Sequence, residues 1–480
     1  MVAASGAEAV APGAVVIAAP ASGNGKTTVA TGIMAALRAG GREVAPFKVG
    51  PDFIDPGFHC LATGRPGRNL DPNLQGERRI GPLYAHGAAG ADIGVVEGVM
   101  GLFDGRIGAV APDGVSGYGS TAHVASLIGA PVILVVDARG HSQSVGALVR
   151  GYSTFAPGTH VAGVILNQVG SDRHARILAD ACEGVGVPAL GAVPRSDAIG
   201  VPSRHLGLMT TDALDSPDTS IAAMGETMAR HLDLEAIAGL AASAPVGGPW
   251  VPGDEADAAL GSNTELGPPP VIAVASGRAF GFRYPEWEEM LRALGAEIAH
   301  FDPLTDPFPT RADGLLLLGG YPEEHAAELS ANTATREAVR GAVEAGLPTY
   351  AECGGLTYLG RSLDGHRMCG AVDVDFAFGR KLTLGYRDAV SLGDSLAAPA
   401  GLRFVGHEFH RTDIVGGESP AADEARGDAA WGWIDGEGGT RTEGFAGPTL
   451  HGSYLHLHPV GSPQVVARIV AGSRESRLKG

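Results

Sequence analysis

Two short segments carry residues whose types and spacing point to chemistry. The first is PASGNGKTT at residues 20–28. It follows an apolar run and opens a stretch with helical spacing, the strand–loop–helix context of a phosphate-binding loop. Gly23, Asn24 and Gly25 supply backbone N–H groups for phosphate oxygens, the glycines allowing a close approach, and the helix N-terminus adds a favourable dipole. Lys26 is expected at the β- and γ-phosphates of a nucleotide such as ATP, Thr27 on Mg²⁺, and Thr28 beside it. The position six before the lysine, usually Gly, is Pro20, so the match rests on the Gly-Lys-Thr-Thr core. Mg²⁺ requires further oxygen ligands. Acids cluster where α/β sheets place ligands, at strand exits: Asp52 and Asp55 in KVGPDFIDP, Glu97 and Asp104 in VVEGVMGLFDG. Asp52 and Glu97 are expected on the metal, Asp55 and Asp104 toward the substrate. Asn167 ends another strand, where its amide would read an adenine edge or form a turn.

The second segment is YAECGGL at residues 350–356. A cysteine on a sharp strand-to-helix turn is expected to be exposed, with its thiolate stabilised by the helix N-terminus. Cys353 is thus a candidate nucleophile and needs a base; His456, in GSYLHLH, is the candidate. Backbone N–H groups of Gly320, in LLLLGGYP, and Gly354 would form an oxyanion hole. Cys60, Cys182 and Cys369 are expected to be buried apolar residues. His407 and His410 could be read with His456 and His458 as a zinc cluster. The helical H-E-x-x-H spacing is absent, and substrate-lining or structural roles are favoured.

Elements must hold these residues in place. Apolar runs predict strands at 14–19, 43–49, 93–96, 132–137 and 161–166, with helical spacing between several, notably 27–38. Continuous apolar strands alternating with helices predict a parallel sheet covered on both faces. The rhythm restarts with strands at 271–275, 314–318 and 348–351 and helices at 286–294 and 335–345. The fold class is therefore α/β in two domains, expected at 13–243 and 270–475, after a loose tail 1–12. A Gly-, Pro- and acid-rich linker without periodic structure is expected over 244–269.

The chain has 480 residues, a net charge of −18 and four cysteines. That charge opposes general nucleic-acid binding, which relies on basic patches. The cysteines show no C-x-x-C spacing and no disulfide framework, which fits a reduced, cytoplasmic setting. The first residues show no basic patch followed by an apolar core, so no leader is expected, and no apolar run approaches the ~20 residues of a membrane helix.

Taken together and in order, the motifs resemble those of the cobyrinic and hydrogenobyrinic acid a,c-diamide synthases. SGNGKTT, KVGPDFIDPGFH and VVEGVMGLFDG resemble the dethiobiotin-synthetase type of P-loop ATPase domain. GGYPEEHA, AECGGLTYLG, GHEFHRTD and GSYLHLH resemble a class I glutamine amidotransferase domain. The resemblance implies Cys353 as glutaminase nucleophile and His456 as its base. Class I enzymes carry Glu two residues after the histidine; here that residue is His458, so the resemblance implies a Cys–His dyad. Ala351 replaces the first glycine of the usual elbow. The implied partners are a corrinoid macrocycle and L-glutamine, and the implied cofactors are ATP and Mg²⁺; a homodimer is a separate candidate assembly. A closed path for ammonia between the domains is expected. Cobyric acid synthase and nickel-sirohydrochlorin diamide synthase are the sister alternatives. A ParA/MinD-like regulatory ATPase fits less well: Ala21 and Ser22 occupy the region of its second loop lysine.

Overall fold

The computed structural model describes residues 11–195, 203–204, 207–208, 216–243, 246–260, 268–417 and 429–479. Two compact units divide between Trp250 and Val251.

The first unit is built on seven strands: β1 (Ala14–Ala18), β2 (Val44–Val49), β3 (Arg68–Leu70), β4 (Ile93–Glu97), β5 (Val132–Asp137), β6 (Val161–Val169) and β7 (Ala189–Pro194). They lie in the order β3-β2-β4-β1-β5-β6-β7, and every pair is parallel. β1, β2 and β4 are buried along their whole length, as strands covered on both faces must be. All-parallel order leaves the strand C-termini on one edge, where the acids gather. Helix α1 (Lys26–Ala39) buries Val29, Ile33, Met34 and Leu37, an apolar stripe at helical spacing. A Cβ on its Gly32 would lie 2.6 Å from Met228 Cγ, so that glycine lets helix α3 (Pro217–His231) pack closely. Between them in sequence, α2 (Asp55–Thr63) follows the Asp52 loop.

The second unit has a six-stranded sheet made of β8 (Val271–Ala275), β9 (Glu297–Phe301), β10 (Gly314–Leu317), β11 (Thr349–Glu352), β14 (Phe445–Ala446) and β15 (Leu450–Ser453), ordered β9-β8-β10-β11-β15-β14. Only the β14–β15 pair is antiparallel. A second sheet includes the long antiparallel pair β12 (Val374–Ser391) and β13 (Arg403–Gly417).

The stretch expected to be an unstructured linker carries a helix, α4 (Pro252–Leu260). It packs on α5 (Pro285–Ala293) and on α8 (Pro463–Lys479), the latter preceded by α6 (Thr333–Glu344) and α7 (Gly354–Leu359). Pro252 opens it, and Asp254 and Glu255 sit in the first turn, a favourable helix start. Among its described side chains the one that is well buried is a small Ala256, which leaves no apolar periodicity to read. Trp250 is also buried, edge-on to His86, and donates its backbone N–H to Pro82 O at 2.8 Å. Within the expected loose tail, Pro12 O accepts from the Tyr84 hydroxyl at 2.5 Å; residues 1–10, 244–245 and 261–267 of the tail and linker lie outside the described residues.

Candidate functional site

The first centre follows from register. Asn69, Lys48, Glu97 and Ile17 are successive partners across β3, β2, β4 and β1, all near the strand C-termini. Lys48 therefore meets Glu97: Nζ lies 3.0 Å from Glu97 Oε1, 2.5 Å from Asp55 Oδ2 and 3.9 Å from Asp52 Oδ2, and donates to Gly98 O at 3.1 Å. The Thr27 hydroxyl donates to Glu97 Oε1 at 2.5 Å and stands 3.3 Å from Asp55 Oδ2. His59, fully buried on α2, holds Glu97 Oε2 at 2.8 Å. Burial alone would raise the Glu97 pKa, but Lys48 and His59 outweigh it and keep this carboxyl well below the usual range. Burial, Asp52 and Glu97 push Asp55 up. Burial also opposes the Lys48 charge, yet Asp55, Glu97 and Asp52 hold its ammonium above the ordinary lysine range.

The phosphate loop enters this network from β1. Gly23 and Gly25 take left-handed φ values of 82° and 87°, and α1 starts directly after. Lys26 Nζ donates to Met100 O at 2.7 Å. Burial and then Lys48 push its ammonium down to about 8, against the pull of Glu97, Asp55 and Asp104. Nucleotide phosphates at this point would relieve that cost. Thr28 is half-buried in the first turn.

Several expected roles change with this geometry. Asp52 does not join Thr27: its Oδ1 accepts from the N–H groups of Ile54 and Asp55 at 2.8 and 3.0 Å, which fixes the start of α2. Asp55, expected toward the substrate, stands beside Thr27 and Glu97 instead. Asn167 is buried and turned to the loop, not outward to a base: Nδ2 donates to Asn24 O at 2.9 Å and Oδ1 accepts from Gln168 N. The Asn24 side chain is likewise occupied, accepting from Asp137 N and donating to Ala21 O. Asp104 is exposed, and its Oδ2 accepts from Gly101 N at 2.9 Å, closing its own turn. Thr27, Glu97 and Asp55 form an all-oxygen set that fits Mg²⁺, a hard cation that keeps several waters and phosphate oxygens. Among the described residues no His, Cys, Asp or Glu trio forms a ready cage, so the nucleotide would complete the shell.

The second centre lies where β11 and β15 run side by side. Glu352 pairs with Ser453, and Cys353 N donates to Ser453 O at 2.7 Å. The chain then turns sharply: Cys353 has φ 47° and ψ −103°, a conformation a non-glycine residue rarely holds. Gly355 must be glycine here, because a Cβ would lie 2.0 Å from Leu317 O. His456 follows β15 and is bridged to β13 by reciprocal bonds of 2.9 Å with the His407 backbone. A Cβ on Gly319 would lie 2.5 Å from His456 Cε1, and one on Gly354 would lie 3.1 Å from Gly320 N. The expected nucleophile, base and oxyanion glycines thus occupy neighbouring positions.

Cys353 is not exposed as expected; it is 6% accessible, and its Sγ lies 3.7 Å from Phe409 O. Burial and the Glu323 carboxylate push its thiol up, with Glu352 and Glu408 adding to this and the Gly354 N–H opposing it. These surroundings oppose a thiolate, and a nucleophilic role for Cys353 would require a base to take its proton. Cys60 departs in the other direction and is exposed on α2. His410 stacks on Tyr454 with centroids 3.8 Å apart, and its Nδ1 bonds Thr412 O at 2.9 Å. His458 Nδ1 accepts from Val460 N at 3.2 Å.

Comparison with known proteins decides between the readings. Residues 15–208 match a CobQ/CobB/MinD/ParA nucleotide binding domain, and residues 271–463 a CobB/CobQ-like glutamine amidotransferase domain. A hydrogenobyrinate a,c-diamide synthase of Mycobacterium tuberculosis is 52% identical over 95% of this chain and 97% of its own. One of Streptomyces coelicolor is 47% identical over 96% and 97%. A cobyrinate a,c-diamide synthase of Gloeobacter violaceus is 42% identical over 93% of both. The chain belongs to the cobyrinate and hydrogenobyrinate a,c-diamide synthase family. The family's nucleotide-binding and glutamine amidotransferase domains coincide with the two centres.

Three residues in these centres went unnoticed in the sequence: Lys48, His59 and Glu352. Each carried a signal. Lys48 and Glu352 are charged residues at the ends of otherwise apolar strands, which is costly unless they are paired. His59 lies on α2 one turn beyond Asp55.

Proposed function

We propose that this chain is an ATP- and glutamine-dependent ligase that amidates the a and c acetate carboxylates of hydrogenobyrinate. The observation that carries the reading is the presence in one chain of a phosphate loop bonded to strand-end acids and a buried Cys–His glutaminase centre. A carboxylate is a poor acyl donor because oxide is its leaving group. Transfer of the γ-phosphoryl group of ATP to a carboxylate oxygen gives an acyl phosphate and ADP. Lys26 and the loop N–H groups would stabilise the charge on the transferred group. Thr27, Glu97 and Asp55 would hold Mg²⁺, which when bound neutralises phosphate charge. In the second unit, Cys353 Sγ attacks the side-chain amide carbon of glutamine while His456 takes the thiol proton and delivers it to the departing nitrogen. Ammonia leaves, water hydrolyses the glutamyl thioester, and ammonia displaces phosphate from the acyl phosphate to form the amide.

The relatives at 52% and 47% identity support the metal-free ring, whereas one at 42% is named for the cobalt-bearing ring. A partition-type switch, the other use of this nucleotide-binding fold, has no need of a glutaminase unit. The test is to incubate the protein with ATP, Mg²⁺, glutamine and either macrocycle, and count amides by mass. Two amides on hydrogenobyrinate, formed faster than on cobyrinate, are expected. Amidation of the cobalt-bearing ring alone would reverse the choice of ring. No amide on either ring would overturn the substrate assignment.

A further inference from the structure

Position 458, where class I glutaminases carry their acid, holds a histidine, yet the centre has a carboxylate. Glu352, the last residue of β11, is 2% accessible, and its Oε2 lies 3.1 Å from His456 Nδ1. Its other oxygen, Oε1, accepts from the Tyr350 hydroxyl at 2.7 Å and from Leu457 N–H at 3.1 Å. We propose that Glu352 is the positioning residue of the glutaminase, so that the centre works as a Cys353–His456–Glu352 triad whose acid comes from the residue before the nucleophile. This rests on the glutaminase reading of Cys353 and His456.

A hydroxyl and an N–H converge on Oε1, so that oxygen is an acceptor, and an ionised carboxylate suits all three contacts. With Oε2 accepting from Nδ1–H, the neutral imidazole keeps its Nε2 as the basic nitrogen, the tautomer a general base needs. The same carboxylate faces the imidazolium that forms once His456 has taken the thiol proton. The two residues holding Glu352 are near it in sequence or next to its partner. Tyr350 precedes it by two on the same strand, and Leu457 follows His456. The carboxylate is therefore fixed relative to both catalytic groups by β11 and the segment after β15. His458 is engaged elsewhere: besides accepting from Val460 N, its ring packs on Tyr284, and Nε2 lies 3.8 Å from Glu286. The sequence places Glu352 beside the nucleophile, so no downstream motif is needed to supply the acid.

Glu352→Gln in the full chain separates this from a purely structural role. With ATP, Mg²⁺ and hydrogenobyrinate, kcat for glutamine-driven amidation should fall about 10²-fold, the scale of a general base put out of position. KM for glutamine and the ammonium-driven rate should stay unchanged. Retained kcat, or a loss expressed in KM alone, would overturn the proposal. Tyr350→Phe removes one donor from Oε1 while keeping the carboxylate, and should lower kcat about fivefold at constant KM, the worth of one hydrogen bond. If Glu352→Gln does not fold, an unchanged kcat in Tyr350→Phe overturns the proposal by itself. Cys353→Ser is run alongside: if it keeps glutamine-driven activity, the underlying glutaminase reading fails, a result distinct from failure of the Glu352 assignment.

Discussion

Replacing Cys353 with Ser is expected to cut glutamine-driven amidation by on the order of 10³-fold or more and to leave ammonium-driven amidation intact. The turn that carries Cys353, with φ 47°, is set by Gly354 and Gly355 and by the β11–β15 pairing. Serine has nearly the same shape, so the turn should survive. What is lost is acidity and nucleophilicity. The thiol already sits in a buried, carboxylate-rich place that resists anion formation, with Glu323, Glu352 and Glu408 nearby. A hydroxyl in that place gives up its proton far less readily. The phosphate loop lies in a separate compact unit and needs only ammonia, which added ammonium salt supplies. Comparing initial rates with glutamine and with ammonium checks this directly. Loss of both rates would contradict independent centres.

Lys26→Ala is expected to remove both rates together, by on the order of 10³-fold, because activation precedes amide formation whatever the nitrogen source. Lys26 is 8% accessible, and its ammonium donates to Met100 O. Burial and Lys48 push it down to about 8, so the free protein bears a cost that phosphate oxygens would remove on binding. The pattern across the two variants carries the information. Cys353→Ser splits the nitrogen sources, whereas Lys26→Ala does not. A Lys26→Ala protein that still used ammonium at the original rate would place activation elsewhere.

Much of the fold was legible locally. The runs at 132–137 and 271–275 coincide with β5 and β8, because a strand buried on both faces shows itself as an uninterrupted apolar segment. The glycine-rich loop before α1 and the sharp turn at Cys353 were legible because glycine spacing and chain direction are local properties. Partnerships across strands were not. Lys48 meets Glu97 only through the β2–β4 register, and Glu352 meets His456 only because β11 and β15 are neighbours despite a separation of 104 residues. The same reason explains Cys353. A strand-to-helix turn is exposed by default, but here Phe409 O lies 3.7 Å from the sulfur and Tyr454 shares the buried apolar cluster of Cys353, both distant in sequence. Asp52 and Asp55 are three residues apart at the start of α2, and composition cannot say which caps the helix and which faces Thr27. Helix α4 escaped notice for the opposite reason: it is local, but its short Ala- and acid-rich sequence buries too little to show a stripe.

On the proposed function, nitrogen freed at Cys353 becomes the amide nitrogen of the macrocycle. The most direct test supplies ATP, Mg²⁺, hydrogenobyrinate and glutamine labelled with ¹⁵N at the side-chain amide, in the presence of unlabelled ammonium at equal concentration, and reads the product by mass. Two amides both predominantly ¹⁵N are predicted, with the label lost in Cys353→Ser. Product carrying predominantly unlabelled nitrogen in the wild-type protein would contradict this.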